Sequence, residues 1–541
     1  VDAISAEELG KFPDTNLAEA LQRITGVSIS RSNGEGSEIT VRGFGPEFNL
    51  ITLNGRQMPG TGFTRSFNLA NLSSEGVNTL ELQKTARAEN PSGGLGATVN
   101  IITMKPLAQS GQNATFSVKG IYDSSNEAGD DVTPEIAGVY SNTFADDMFG
   151  FGLSFSHQER DFQQQAANIQ GWQLQENAAL PDLDPENVVD NRTNITDAAF
   201  FPKDMNYSIT DVQRERSNAQ VTFQFRPVDD FTATIDYTAT RATTGTNTVG
   251  WGIWNNFGAN INAYELDENG TAVYADISGD DGSFTASRET TRVDARSIGV
   301  NLDWVVSDDW HFRLDYHDSY NEIDNGYDKG LGSSGQIILG SNQLESKVYD
   351  YRAGEIPQVY VNWNNGTNEI LPSEIDSNFS QFIYSPGRSD IEQLQLDGTW
   401  YNSAFDIPLV KIDFGYARTE QALTGFEAWS GLRGGPGFSP SFTEIFPDSM
   451  FIRNDTSGFL DAFDGGGAGM NPGYYYTYDF DEAIARQLAF ITGDVVGESN
   501  AYSIDPYFSG APSVSNVEEI TDSIYVQSEW DFEVGDYYVQ I

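Results

Sequence analysis

Two glycine clusters are the first places where this sequence could do chemistry. Ile39 to Gly55 reads ITVRGFGPEFNLITLNG, and Asn90 to Thr103 reads NPSGGLGATVNIIT. Glycines beside short β-branched runs are how phosphate-cradling loops begin, because backbone N–H groups can then close on an anion. The spacing argues against that use. After Gly43 and Gly45 comes Phe48 where a dinucleotide fingerprint needs its third glycine, and GGLGAT at 93–98 lacks both that glycine and a GK[ST] ending. A nucleophile elbow G-x-S-x-G is absent, since LGSSGQ at 331–336 comes close and misses. The three histidines, His157, His311 and His317, form no HExxH pair and read as strand residues near a lumen or rim. With no cysteine there is no thiolate metal site, cysteine nucleophile or disulfide framework. The acidic runs DISGDDGS (276–283) and DLDPENVVD (182–190) carry oxygen ligands suited to Ca²⁺, yet neither follows the EF-hand order, and both read as solvated loop. No catalytic set, metal site or cofactor is assigned.

Aromatic clusters are better suited to holding a ligand. WGIWNNF (251–257), FEAWSGLRGG (426–435) and NPGYYYTYDF (471–480) place Trp251, Trp254, Trp429, Tyr474, Tyr475 and Tyr476 in long polar segments. Flat rings beside Asn and Asp match the apolar C–H faces and hydroxyls of sugars. The competing reading is that they pack the loops or sit at a membrane rim.

Composition narrows the class of molecule. Net charge is −49, from 79 acidic and 30 basic residues, which argues against nucleic acid as a partner. Aromatics reach 12%, too rich for a disordered chain. No apolar run reaches 18 residues, so no membrane helix is expected. A β-barrel stays open, because only every second residue of its strands meets lipid.

Two regions position these residues. The first, to about Pro106, mixes helix and strand signals. Ser5-Ala6-Glu7-Glu8 reads as a capping box, and Leu17, Ala20, Leu21 and Ile24 share one helical face that Gly26 closes. Short strands follow at Val27 to Ser30, Glu38 to Arg42, Leu50 to Leu53, Val77 to Gln83 and Thr98 to Thr103, so a small α+β globule is expected. From about Ala114 the period becomes two. In FTATIDYTAT, Phe231, Ala233, Ile235, Tyr237 and Ala239 oppose Thr232, Thr234, Asp236, Thr238 and Thr240. In WHFRLDYH, Trp310, Phe312, Leu314 and Tyr316 oppose His311, Arg313, Asp315 and His317. Tight acidic turns such as FADDM (144–148) and VSDD (306–309) alternate with long excursions at about 163–211, 244–291, 324–387 and 422–516. Short turns on one side and long loops on the other mark an antiparallel transmembrane β-barrel, with aromatic girdles at the strand ends. Soluble domains seldom carry loops of that length.

The first region also carries a family resemblance. FPDTNLAEALQRITGVSISRSNGEGSEITVRGFGPEFNLITLNGRQMPG resembles the plug of TonB-dependent outer-membrane receptors, and VNTLELQKTARAENPSGGLGATVNIITMKP resembles its closing half. The wording is most similar to the proteobacterial branch linked to saccharide uptake. The resemblance implies a plug domain over 1–108 and the N-terminal part of a 22-stranded barrel over 109–541, in the bacterial outer membrane among its lipid and lipopolysaccharide. About ten or eleven of those strands are expected here, and the chain reads as a fragment. The implied function is active transport of a nutrient, most simply an oligosaccharide, with no enzyme activity. Loops and plug apex would bind, and TonB, energised by ExbB and ExbD, would rearrange the plug. A TonB box is not found and is expected upstream of Val1. Ferric-siderophore uptake is the alternative within the class, and a passive barrel the alternative outside it. By the same resemblance Arg42 and Glu81 would join an ion-pair lock to the barrel wall, with Lys84 standing where arginine is common. The apical, ligand-facing plug residues would be Arg31, Asn33, Glu35, Arg56, Gln57, Met58, Phe63 and Arg65.

Overall fold

The computed structural model describes residues 1–5, 8, 16–72, 74–176, 180–255, 260–279, 282–326, 334–341, 344–352, 354–363, 369–433, 445–493, 512–534 and 537–540. The expected helix entry at Pro13 and Asp14 and the final glycines of FEAWSGLRGG lie outside them. The first 100 or so residues form a globule with its own core. Its helix α1 (Leu17–Leu21) is shorter than the sequence period suggests, and Ile24 belongs to a tight turn through Ile24 N–H to Leu21 O, 3.0 Å. Asn16 caps α1 by accepting from Glu19 N–H at 3.1 Å, while its amide donates to Gly36 O at 2.8 Å. One side chain thus ends the helix and ties it to the hairpin of β2 (Val27–Ser32) and β3 (Glu35–Val41). Strand β1 (Asp2–Ser5) ends at the first residue of the expected capping box, where Ser5 N–H donates to Glu8 Oε2 at 3.0 Å as such a box requires. β1, β6 (Val77–Gln83), β7 (Ala97–Thr103), β4 (Asn49–Leu53) and β5 (Arg56–Gln57) make a sheet in that order. Leu17, Leu21, Val41, Leu80, Leu82, Val99 and Ile101 are fully buried between sheet, helix and hairpin.

The glycines of RGFG serve this turn. Arg42 (φ 53°) and Gly43 (φ 81°) both adopt left-handed backbone, and Val41 and Phe44 exchange both N–H···O bonds across them, at 3.1 and 3.0 Å. Those N–H groups are spent on the turn, so none is aimed at a phosphate.

The rest of the chain builds a wall around the globule. Its described strands of four residues or more are β8 (Asn113–Tyr122), β9 (Val132–Phe144), β10 (Phe149–Asn168), β11 (Asp204–Val228), β12 (Phe231–Trp254), β13 (Gly282–Ser307), β14 (Trp310–Asp324), β15 (Gly335–Ser341), β16 (Phe379–Tyr384), β17 (Gly387–Tyr401), β18 (Leu409–Arg433), β19 (Ser513–Val534) and β20 (Tyr537–Gln540). All pair antiparallel in one sheet. β15 prolongs the line of β14 along β13, and β16 prolongs β17 along β18. Wall strands from β10 to β19 touch the globule: a Cβ at Gly76 would strike Ser154, Asn321 donates to Pro59 O, and Glu519 pairs with Arg65.

Burial along the wall is inverted relative to a water-soluble sheet. On β12 the polar positions Thr234, Asp236, Thr238 and Thr240 are buried, Asp236 to 4% exposure, while Ile235 is 49% exposed. On β14, Asp315, His317, Ser319 and Asn321 are buried and Phe312 and Tyr316 exposed. Apolar residues facing out and polar residues facing in are stable only if the outside is hydrocarbon. Trp310 stacks on Phe312 (5.8 Å between centroids) and Trp530 on Phe532 (6.1 Å) near the short-turn ends. About six residues up each strand, Tyr237, Tyr316 and Tyr416 share the outward register, and charges begin above them. Arg241 pairs with Asp294 at 2.6 Å, and Arg418 with Glu420 at 2.7 Å. Aromatics followed by charge mark the two edges of the apolar band.

The strands then continue well past that band, to 25 residues in β11 and 26 in β13. A membrane strand needs about 9–11 residues, so more than half of each stands outside. The segments read as loops from 163, 244 and 422 are therefore partly strand. Runs such as RATTGTNTVG hide it, because their Thr, Gly and Asn carry no apolar alternation.

Candidate functional site: plug contacts and the vestibule

Two ion clusters of opposite sign hold the plug in the lumen. At the first, Asn54 (φ 56°) and Gly55 (φ 87°) turn the chain from β4 into β5, which carries Arg56 to the wall. Arg56 is 2% exposed. Its Nε and Nη2 donate to the two oxygens of Asp315 at 2.6 and 3.0 Å, and Nη1 donates to both oxygens of Asp236, at 2.7 and 2.8 Å. Asn301 adds a hydrogen bond to Asp315 at 2.9 Å. Gly299 makes room for the guanidinium, since a Cβ there would overlap it. Burial works against the charge on Arg56, but hydrogen bonds and charge from Asp315 and Asp236 outweigh it and raise its pKa.

At the second cluster the plug supplies the anion. Glu35, 1% exposed at the start of β3, accepts from Arg160 Nη1 at 2.7 Å and from Arg214 Nη2. Arg216 Nη1 lies 4.0 Å from its other oxygen and donates to Ala70 O of the plug. Burial opposes ionisation of Glu35, yet Arg214, Arg216 and Arg160 bring its pKa down to about 2. A depressed carboxylate stabilises the folded state above its ordinary range near 4.5 and loses that contribution as pH falls toward 2.

This differs from the expected lock. Arg42 does not reach the wall: its Nη1 donates to Lys84 O at 2.8 Å, because the left-handed turn directs it along the plug surface. Lys84 donates to Thr25 O at 2.7 Å and pairs with Asp2 at 2.7 Å, again within the plug. Glu81 accepts from Asn100 at 3.4 Å and lines a polar cavity of about 330 Å³ between plug and wall, opposite Arg313, Asp315 and Asp397. Of the eight residues expected at the apex, Arg56 and Glu35 are the buried ties just described. Met58 is buried in the plug, and the Gln57 N–H is held by Gln393 Oε1 at 3.1 Å. Arg31 is exposed and paired with Glu19 at 2.8 Å, and Asn33 (φ 49°) forms the β2–β3 tip. Phe63 and Arg65 are exposed, with Phe63 beside Gly425 and Arg65 paired with Glu519.

The aromatic candidates divide by strand register. Positions two apart share a face, so Trp251 stands on the outward face with Ile235 and Tyr237. There it is 2% exposed and stacks on Tyr475, 4.3 Å between centroids at 9°. Tyr474 and Tyr476 are buried in the same cluster, bonded through their hydroxyls to Ile370 N–H and O at 2.6 and 3.2 Å. Helix α2 (Phe480–Gly493) adds Ala483 and Ile484 to this core. These four rings pack loop against outer wall and offer no face to the lumen. Counting in twos from Ile235 would have found this. Trp251→Ala should therefore cost the loop core about 3–5 kcal/mol, seen as loss of hydrogen-exchange protection around Tyr474–Thr477. Trp429 and Trp254 are different. Trp429 shares the inward register with Gly425, pairs with Ile383 and is 40% exposed. Trp254 is exposed at the far end of β12 with Lys203 5.5 Å over its ring.

Above the plug, the inward register of β12, β13, β15 and β16 encloses a cavity of about 310 Å³ that the sequence did not announce. Thr246, Thr248, Ser287, Gln336 and Gln381 line it with hydroxyls and carboxamides, with Glu289 and Arg288 as its charges. None of these residue types stands out in a polar segment, which is why only register reveals them.

Residues 1–98 match the family described as TonB-dependent Receptor Plug Domain. Among solved structures, the chain is similar to the siderophore receptor PirA from Pseudomonas aeruginosa (12% identity, 80% of this chain and 90% of that one, TM-score 0.25). It is also similar to the outer membrane transporter YddB from Escherichia coli (10%, 98% and 91%, 0.31) and the alcaligin outer membrane receptor FauA from Bordetella pertussis (11%, 80% and 80%, 0.25). At such TM-scores these likenesses decide nothing about this chain's ligand. Residues 1–98 thus match a TonB-dependent receptor plug domain, and the wall that grips them, polar inside and apolar outside, is that of an outer-membrane β-barrel.

Proposed function

We propose that this receptor imports a polyhydroxylated solute of the oligosaccharide class, captured between wall and plug apex and passed inward when TonB, energised by ExbB and ExbD, pulls on the plug. The observation that carries the ligand class is the lining of the vestibule cavity, where hydroxyl and carboxamide groups of Thr246, Thr248, Ser287, Gln336 and Gln381 can each donate and accept as sugar hydroxyls do. Trp429, paired with the cavity residue Ile383, supplies a flat face for the C–H side of a ring.

A second reading, uptake of an anionic ferric siderophore, is supported by the guanidinium groups of Arg160, Arg214 and Arg216 at the plug apex. The P. aeruginosa protein above is itself a siderophore receptor. A deletion strain separates the two, supplied with oligosaccharides as carbon source or ferric chelates as iron source. The first reading expects loss of oligosaccharide uptake, with Trp429→Ala lowering it about tenfold, the size of one lost stacking contact. Loss of iron uptake alone would overturn it.

A further inference from the structure

We propose that Arg160, Arg214 and Arg216 form a binding site for a compact oxyanion borne by the ligand (carboxylate, phosphate or sulfate), and that Glu35 of the plug occupies this site in the resting protein. The inference rests on the reading that the ligand is captured above the plug, and it adds a charged group to that ligand. Three guanidinium groups converge on one carboxylate and use it poorly. Arg160 and Arg214 both bond the same oxygen of Glu35, while its Oε2 is buried without a hydrogen bond, 4.0 Å from Arg216. Arg160 Nε is likewise buried with no partner. The other acceptors are Asp123, 3.0 Å from Arg160, Gln158, 2.6 Å from Arg216, and Ala70 O, also bonded to Arg216. Donors therefore outnumber acceptors, and a ligand oxyanion free to place all its oxygens among them fills the cradle better than the tethered Glu35.

Position adds the second argument. The cradle sits at the tip of the β2–β3 hairpin, where Gly34 lies against Phe162 and Gln164 of β10, well up the wall. It gathers three guanidinium groups at one place in a chain of net charge −49. Glu35 cannot leave alone. Its neighbour Gly36 is packed so closely that a Cβ would meet Ile29 and Ala18 at 2.9 and 3.2 Å. An anion that displaces Glu35 must shift the whole hairpin, while Arg56 still holds the other side of the plug. Occupancy above the plug is thereby converted into movement of the plug itself.

The test titrates the full chain in detergent with inorganic sulfate, inorganic phosphate and galacturonate, and compares wild type with Glu35→Gln. The variant should bind at least one of the three tenfold or more tightly, and adding Arg160→Gln or Arg214→Gln should abolish that gain. The probe that binds identifies the kind of oxyanion. In the wild type, a saturating concentration of that probe should raise amide exchange in Val27–Val41 and leave Ala97–Thr103 unchanged, which holds even if the variant folds poorly. Equal affinity in wild type and variant, a gain that survives loss of the arginines, or an unmoved hairpin would overturn the proposal and indicate an adventitious ion only. Since these readouts are binding and exchange, a negative oligosaccharide uptake result leaves them standing.

Discussion

Arg56→Ala should free the plug from the wall while the barrel strands stay folded. The substitution leaves Asp236 and Asp315 buried, close together and without their cation. Removing one partner of a buried ion pair costs about 3–5 kcal/mol, because the remaining charge keeps its desolvation penalty. Hydrogen exchange would show it as loss of protection across Asn49–Leu53 and Arg56–Gln57, with the wall strands unchanged. Whole cells should admit large hydrophilic antibiotics more readily. Arg56→Lys should recover little, since an ammonium cannot fork onto both oxygens of Asp315. Gly299→Val gives an independent check, because it changes no charge. Its side chain would occupy the space of the guanidinium, so it should reproduce the Arg56→Ala pattern. A Gly299→Val protein with a fully protected plug would show that the cluster is not what seats it.

Ile235→Arg should destabilise the folded barrel by about 2–4 kcal/mol, as expected for a basic residue on the lipid face near mid-membrane. Arg241→Leu, on the same outward face but level with the charged band, should change stability by no more than about 1 kcal/mol. Urea unfolding in lipid vesicles measures both. Equal effects at the two positions would mean that the apolar band does not lie where Ile235 and Tyr237 place it.

Much of this was legible in the residues. Alternation in FTATIDYTAT gave both faces of β12, because period two is a local property of extended backbone, and the structure buries the polar members as that pattern requires. The plug strands were readable from β-branched runs between glycines for the same reason. The functional contacts were less legible. Arg42 and Arg56 look alike as arginines next to a glycine turn, yet only Arg56 emerges on the side of the sheet where Asp236 and Asp315 wait, 180 and 259 residues away. The aromatic loops misled because composition gives no direction: Trp251 and Trp254 are three residues apart and stand on opposite faces.

The sequence by itself thus determined a plug and an antiparallel membrane wall, since these follow from local periodicity, turn chemistry and the plug wording. Tertiary structure alone decided which charges lock the plug, which rings face the vestibule and where a ligand can sit. Those depend on the register that brings distant strands together, and a one-residue change of register would send each of these side chains to the other face.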